Sequence, residues 1–374
     1  MQLWSWRKTA RRLHLWLGLS VGLLLVLISL SGAAVVFYVE LDQALHPQLQ
    51  QAQAEPDYQQ ALATVQALYP DRTGPWRFEV TDSAGVIPAR YYNPVESVGQ
   101  GFAPLLLWLS ADGRTVLRQE FWGQHLMTWL YNLHYQLLLG STGTVVVGYL
   151  GLASLLLLLL GLLAWWPKAG QWRKSLSFKS RSSVIGALYD WHKSLGLLSV
   201  LPLLLLTLTG VMLALPEPTA AVLQQLPGQK AKAATLSAPE VSAPKVEPGQ
   251  QHITLNQALS AARGAAPEGQ LAWIETPALQ GPYYKFRVQL PGDPSRRFPH
   301  SYILIDAYSG AVAQLLDIRE QGSTERVLNW LHPLHDGSVG GLALRCLWLV
   351  FGFFPLLLAW LGIRRYQLRL KGRS

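Results

Sequence analysis

Four long apolar runs constrain the fold of this 374-residue chain more than any other feature. A helix needs about 20 apolar residues to cross the hydrocarbon layer of a bilayer. Runs of that length predict membrane spans at 13–38, 143–166, 191–215 and 342–363. The first run is too long for the apolar part of a signal peptide, so it is predicted to be retained. The chain is therefore predicted to be a multi-pass membrane protein with the lipid bilayer as a partner.

Basic residues predict how these spans are oriented. Lysine and arginine cluster in residues 1–12, 167–190 and 364–374, and cytoplasmic segments of membrane proteins collect such residues. Both termini and the middle loop are therefore predicted to be cytoplasmic, whereas the long segments 39–142 and 216–341 are predicted to face outward. The net charge of +9 follows from this topology and indicates no nucleic-acid partner.

The chain repeats itself. The segment WLYNLHYQLLLG (129–140) recurs as WLHPLHDGSVGG (330–341), which gives His134 and His335 the same place in each copy. LWLSADGRTV in the first outer segment likewise matches ILIDAYSGAV in the second. Parallel repeats of this kind place a pseudo-two-fold axis along the membrane normal.

Each outer segment begins with a helical pattern and continues with alternating strand-like runs. These patterns predict a small antiparallel sheet packed on one helix in each copy. The Pro- and Ala-rich stretch 216–250 is predicted to be a flexible linker between the third span and the second outer domain. The predicted fold class is an α-helical membrane protein, a four-helix bundle from a tandem duplication with two α+β domains outside.

Four histidines occupy repeat-related positions in this plan. His14 and His192 are predicted at the cytoplasmic ends of the first and third spans, and His134 and His335 at the outer ends of the second and fourth. Two imidazoles facing each other across a bundle are the ligands that a six-coordinate haem b requires. The single cysteine, Cys346, excludes covalent c-type attachment through two cysteines. Two bis-histidine haems b, with these histidines on the irons, are therefore predicted.

Further residues are predicted to complete the two haem sites. Gly18 follows His14 by one helical turn, and Gly196 follows His192 by one turn. Both glycines would leave room for a porphyrin. His332 lies three residues before His335 and is an alternative ligand. The basic residues predicted to meet the haem propionates are Arg11, Arg12, Lys193 and Arg345.

Other metal chemistry has a weaker signal. Zinc prefers closely spaced Cys, His and carboxylate sets, and the sequence shows none. The remaining histidines have no repeat partner and are interpreted as surface or domain residues. They are His46, His125, His252 and His300.

Several of these motifs together resemble a known family. RRLHLWLGL…SG, LYDWHKSLGLL…TG and YILIDAYSGAV resemble the PepSY-associated transmembrane family, whose members include bacterial inner-membrane ferric-siderophore reductases. The resemblance implies periplasmic PepSY-like α+β domains at 39–142 and 251–341. It also implies haem b on the four matching histidines and an inner-membrane location.

The expected function is that of a haem-dependent oxidoreductase. It would pass electrons from an unidentified cytoplasmic or membrane donor to a periplasmic ferric-siderophore and release Fe(II) for iron uptake. Two alternatives stay open. One is a non-enzymatic PepSY module that binds a periplasmic protein or peptide. The other is a haem relay to a different acceptor, such as copper, a quinone or a redox protein.

Overall fold

The computed structural model describes residues 5–49, 54–81, 85–179, 181–225, 250–279 and 281–372. The chain divides into two compact units. The first, which we call the helix unit, comprises 1–37, 130–217 and 334–374. The second, the sheet unit, comprises 38–129 and 218–333.

The described helices and strands are numbered in chain order. The α-helices are α1 Ser5–Val35, α2 Tyr38–Leu45, α3 Tyr58–Leu68, α4 Leu126–Gln136, α5 Gly140–Trp165, α6 Trp172–Leu176, α7 Val184–Ala214, α8 Pro216–Gln224, α9 Leu255–Ala265, α10 Ser323–Asp336, α11 Gly341–Gly352 and α12 Phe354–Lys371. The strands are β1 Trp76–Glu79, β2 Val86–Tyr91, β3 Leu105–Ser110, β4 Val116–Phe121, β5 Gln270–Glu275, β6 Tyr283–Gln289, β7 Ser301–Asp306 and β8 Val312–Leu316.

Four helical segments are long and apolar enough to cross a membrane, as predicted. They are Trp6–Val35, Gly140–Trp165, Val184–Ala214 and Ser338–Lys371. Three of them extend about two turns beyond a predicted limit, because hydropathy marks the part of a helix that suits lipid rather than its ends. The fourth is interrupted at Phe353, with Pro355 in the first turn of α12. Proline has no backbone N–H to continue the hydrogen-bond ladder.

The second and fourth spans are each preceded by a break in the helix. Leu137 and Leu138 adopt left-handed φ angles of 50° and 59° after α4, and Gly337 adopts 79° after α10. Such angles are unfavourable for leucine and end the helix there. As a result, His134 and His335 lie in the last turns of the separate helices α4 and α10 rather than within the spans.

The predicted linker differs from expectation where it begins. Residues 216–224 form α8, and the proline at its first position is already set for helical φ. The predicted flexible part at 226–249 lies outside the described residues.

The strands of both outer segments form one antiparallel sheet with the order β4-β3-β2-β1-β5-β6-β7-β8. Each segment contributes a four-stranded meander. The two meanders join where β1 pairs with β5, which brings Phe78 opposite Ile274 and Glu79 opposite Trp273. An unpaired edge strand exposes backbone donors and acceptors, and pairing two such edges satisfies both. The two predicted outer domains therefore share a sheet.

One continuous core lies beneath this sheet. Helices α3 and α9 pack on it, and the alternating buried positions of β1 and β6 supply its other side. Asp57 caps α3 through the N–H of Gln60, and Thr254 and Gln257 form a capping box at α9. Both caps satisfy backbone donors that a helix start leaves free.

Replacing Phe78 by alanine should destabilise the sheet unit strongly. The Phe78 side chain is fully buried at the β1–β5 junction, so its loss leaves a cavity that costs about 3–5 kcal/mol. Denaturant unfolding of the purified protein measures this change. Leu279→Ala is the control, since Leu279 is 71% exposed. Equal unfolding midpoints for the two variants would contradict the assigned core.

Candidate functional site

Four histidines form two pairs inside the helix unit. The ring centroids of His14 and His192, the first histidine pair, are 6.1 Å apart with an interplanar angle of 83°. The centroids of His134 and His335, the second histidine pair, are 6.0 Å apart with an angle of 32°. The pairing is the one that the sequence repeat predicts.

Three of the four rings have a defined tautomer. The Nδ1–carbonyl hydrogen bonds are His14 to Leu157 at 3.0 Å, His134 to Ile28 at 2.9 Å and His192 to Leu358 at 3.0 Å. A carbonyl oxygen can only accept, so Nδ1 must donate its hydrogen. In a neutral ring Nε2 then keeps its lone pair, which is the form that ligates a metal.

His335 is oriented through a side chain rather than a carbonyl. Its Nδ1 lies 3.0 Å from the Thr209 hydroxyl oxygen. That hydroxyl also lies 2.8 Å from the Leu205 carbonyl, to which it can donate. Because a hydroxyl both donates and accepts, this contact orients the His335 ring without fixing which nitrogen carries the hydrogen.

Each ring also lies against a glycine of a neighbouring helix. A Cβ added to these glycines would stand 2.6 Å from Cε1 of the His134 ring at Gly32, 3.0 Å from His14 at Gly161, 3.0 Å from His335 at Gly210 and 3.6 Å from His192 at Gly362. A Cβ closer than ordinary van der Waals contact would push the ring away. Gly32, Gly161 and Gly210 therefore let their rings approach the helix backbone closely, whereas the distance at Gly362 is ordinary contact.

The glycines and the hydrogen-bond acceptors form one pattern. Leu157 precedes Gly161 by four residues, and Leu358 precedes Gly362 by four. Residues four apart lie on one face of a helix. A single helical turn thus supplies both the gap for the ring and the carbonyl that orients it.

Gly18 and Gly196, which are predicted to leave room for a porphyrin, face leucine side chains. A Cβ on Gly18 would meet Leu157 at 3.7 Å, and one on Gly196 would meet Leu358 at 3.9 Å. Neither glycine lies against a histidine ring, so their role beside a porphyrin stays a prediction. The ring-facing glycines carried a signal in the sequence, since Gly161 and Gly362 each follow the histidine of their copy by 27 residues.

The predicted propionate-binding residues are placed as follows. Lys193 donates to the Ser177 carbonyl at 2.9 Å and lies 3.3 Å from the Asp190 carboxylate. Arg345 donates to the Val36 carbonyl at 2.7 Å. These two side chains have protein partners, and a propionate would have to share them. Arg11 and Arg12 are exposed at the same end of α1 as His14.

Arg365 is a basic residue that sequence reasoning left out of the site. Its guanidinium stacks 5.1 Å from the Tyr189 ring centroid and interacts electrostatically with His192. Its Nε is buried and, among the described residues, has no hydrogen-bond partner. A buried donor without a partner costs free energy, and an anionic group beside His192 would satisfy it. In the sequence, Arg365 is one of several basic residues in segment 364–374, which are interpreted only as a sign of membrane orientation.

His332, the alternative ligand, has a different ring contact. It belongs to the sheet unit, where its ring contacts Phe298 edge to face with centroids 5.4 Å apart. The partner of His134 is His335.

The two pairs are spaced along α1. His14 contributes to the first pair, and Ile28, which accepts from His134, lies fourteen residues later. At a rise of about 1.5 Å per residue, the separation along the helix is about 21 Å.

These residues fit haem b. Metal–imidazole bonds of about 2.0–2.1 Å on both sides of an iron place the two ring centroids about 6 Å apart. Both pairs have this spacing, their ring orientations are fixed through Nδ1, and Arg365 offers an unsatisfied donor for a propionate.

The fold and the site define a class: a membrane protein with four candidate spans, histidine pairs between its helices and a separate antiparallel sheet unit. A family model described as the PepSY-associated TM region matches residues 11–369. The chain therefore belongs to the PepSY-associated transmembrane family, as its motifs predicted. Among curated proteins, none matches the chain.

Proposed function

We propose that this protein is a haem b-containing oxidoreductase of the bacterial inner membrane. It would carry electrons from a cytoplasmic or membrane donor to a ferric-siderophore in the periplasm. The observation that carries this proposal is the pair of two-histidine sites, in which three of the four rings donate from Nδ1 to a backbone carbonyl and so keep the Nε2 lone pair.

The protein's own contribution is to orient the imidazoles. Donation from Nδ1 to a carbonyl fixes the rings of His14, His134 and His192 and increases the basicity of the opposite nitrogen. The bound haems would supply reversible one-electron transfer. Gly32, Gly161 and Gly210 let three of the rings lie close to the helices.

The spacing of the two sites supports transfer across a membrane. The hydrocarbon layer is about 30 Å thick, and the pairs are about 21 Å apart along α1. With two sites, an electron would cross the hydrocarbon layer in shorter steps than with one site. The basic segments at 1–12, 167–190 and 364–374 support cytoplasmic termini.

The proposed product is ferrous iron. One electron reduces Fe(III) in the siderophore complex to Fe(II), and the covalent structure of the siderophore is unchanged. Fe(II) has a lower charge and binds hard oxygen donors less tightly, so the complex loosens and iron is released.

A single-turnover assay tests the proposed reaction. The protein is reconstituted in nanodiscs, reduced with a stoichiometric amount of dithionite and mixed without oxygen with a ferric trihydroxamate and a ferrous chelator. We expect haem reoxidation and one Fe(II) trapped per electron. The gallium(III) complex, which has the same shape and cannot be reduced at these potentials, is the control and should leave the haem reduced.

Other outcomes distinguish the alternatives. Reoxidation by a quinone or Cu(II), with none by ferric complexes, would replace this acceptor with another one. A protein that contains no haem after expression with ample haem supply would overturn the redox function and favour a partner-binding module.

A further inference from the structure

Three potential metal ligands meet in the sheet unit, one of them far along the chain from the other two. They are His46 after α2, Glu120 in β4 and His125 before α4. One ligand atom from each lies within 4.8 Å of the other two. Ligands around one metal ion at about 2.1 Å stand roughly 3–4 Å apart. Small side-chain rotations would therefore bring all three onto one ion.

Both imidazoles are presented in ways that suit ligation. His46 Nδ1 donates to the Asp42 carbonyl at 2.8 Å, which leaves the lone pair of its neutral ring on Nε2. Nε2 of His125 lies 3.2 Å from Oε2 of Glu120. The ring centroids of His46 and His125 are 6.5 Å apart.

Glu120 gives a second and independent indication. Its side chain is 1% exposed, and within the described part of the chain Oε1 has no hydrogen-bond partner. An unpaired buried carboxylate oxygen is costly unless a cation reaches it.

The surrounding charges leave room for a cation. Arg118 holds the Asp42 carboxylate with hydrogen bonds of 2.7 and 3.3 Å and is also ion-paired with Glu120. One guanidinium thus faces two carboxylates, so the cluster with ionised carboxylates and neutral histidines has a net charge of about −1. Arg118 holds the Asp42 side chain while the Asp42 carbonyl accepts from His46, so this pair helps to orient the His46 ring.

We propose that His46, Glu120 and His125 bind one divalent transition-metal ion. Two imidazoles and one carboxylate are donors for Zn²⁺ or Fe²⁺, whereas Ca²⁺ and Mg²⁺ prefer oxygen alone. His125 is 41% exposed, so an ion can enter from solvent and keep open coordination positions. This site is separate from the histidine pairs and does not depend on the proposed haem function.

Zinc counting tests the site. The full-length protein, purified in detergent with its affinity tag removed, is stripped with a chelator, dialysed against Zn²⁺ and analysed for zinc per chain. We expect about one zinc in the wild type and a loss of at least 100-fold in affinity for His46→Ala and His125→Ala. His252→Ala is the control, since His252 is outside the cluster and contacts Tyr308, and it should bind zinc as the wild type does.

A second variant and a second ion sharpen the test. Glu120→Gln keeps the side-chain shape, so a loss of zinc without a change in unfolding midpoint assigns the ligand rather than the fold. The same titration with Fe²⁺ under anaerobic conditions shows which ion binds more tightly. No zinc in the wild type, or equal zinc in all variants as for an adventitious ion only, would overturn the proposal. Haem content is counted in the same samples, so failure of either proposal is seen independently.

Discussion

Replacing His134 by alanine should reduce the haem content from two to one per chain. His134 supplies one of the two imidazoles of the second histidine pair, and its ring is held by the Ile28 carbonyl and Gly32. With alanine there, the proposed second haem would have one imidazole ligand, while the first pair would still offer two. A pyridine haemochrome count on the purified variant measures the change.

The matched control for this variant is His332→Ala. His332 precedes His335 by three residues and contacts Phe298 in the sheet unit. This variant should keep both haems. Loss of a haem in His332→Ala, together with retention of both in His134→Ala, would show that the second pair is assigned wrongly.

Gly32→Ala should have nearly as large an effect through a single methyl group. The added Cβ would stand 2.6 Å from Cε1 of His134, inside the contact distance of carbon atoms, so the ring must move off its hydrogen bond with Ile28. We expect the second site to lose at least half of its haem. Absorption spectra of the oxidised and reduced protein, with the haem count, measure this loss.

Gly22→Ala provides the control on the same helix. A Cβ at Gly22 meets no atom within 4 Å, and alanine is the better helix former. That variant should keep its full haem content. If Gly32→Ala and Gly22→Ala had the same haem content, close packing of His134 on α1 would not be needed for the site.

The histidine pairs could be predicted because the repeat and the 3.6-residue helical period fix where each histidine lies. The glycines that face them could not be assigned from one helix alone. Gly18 and Gly196 are next to their histidines along the helix, whereas Gly161 and Gly362 face histidines of other helices. Contact across a bundle depends on which helices pack together, and the period of one helix does not contain that information.

The sheet and the metal-ligand cluster show the same limit. Alternating residues predict strands, but the pairing of Phe78 with Ile274 joins residues almost two hundred positions apart. His46 and Glu120 are likewise separated by 74 positions and come together only when β4 and α2 are in place. The absence of a closely spaced ligand set in the sequence therefore did not exclude a site in the fold. The left-handed Leu137 and Leu138 are a further feature that leucine propensity argues against.

The haem count of the wild-type protein tests the central claim most directly. The protein is expressed with ample haem supply, purified in detergent and examined in the oxidised and dithionite-reduced states with a pyridine haemochrome assay. Two b-type haems per chain are the predicted result, one for each histidine pair. A protein without haem would contradict the account, and the four histidines would then serve only to pack the helices together.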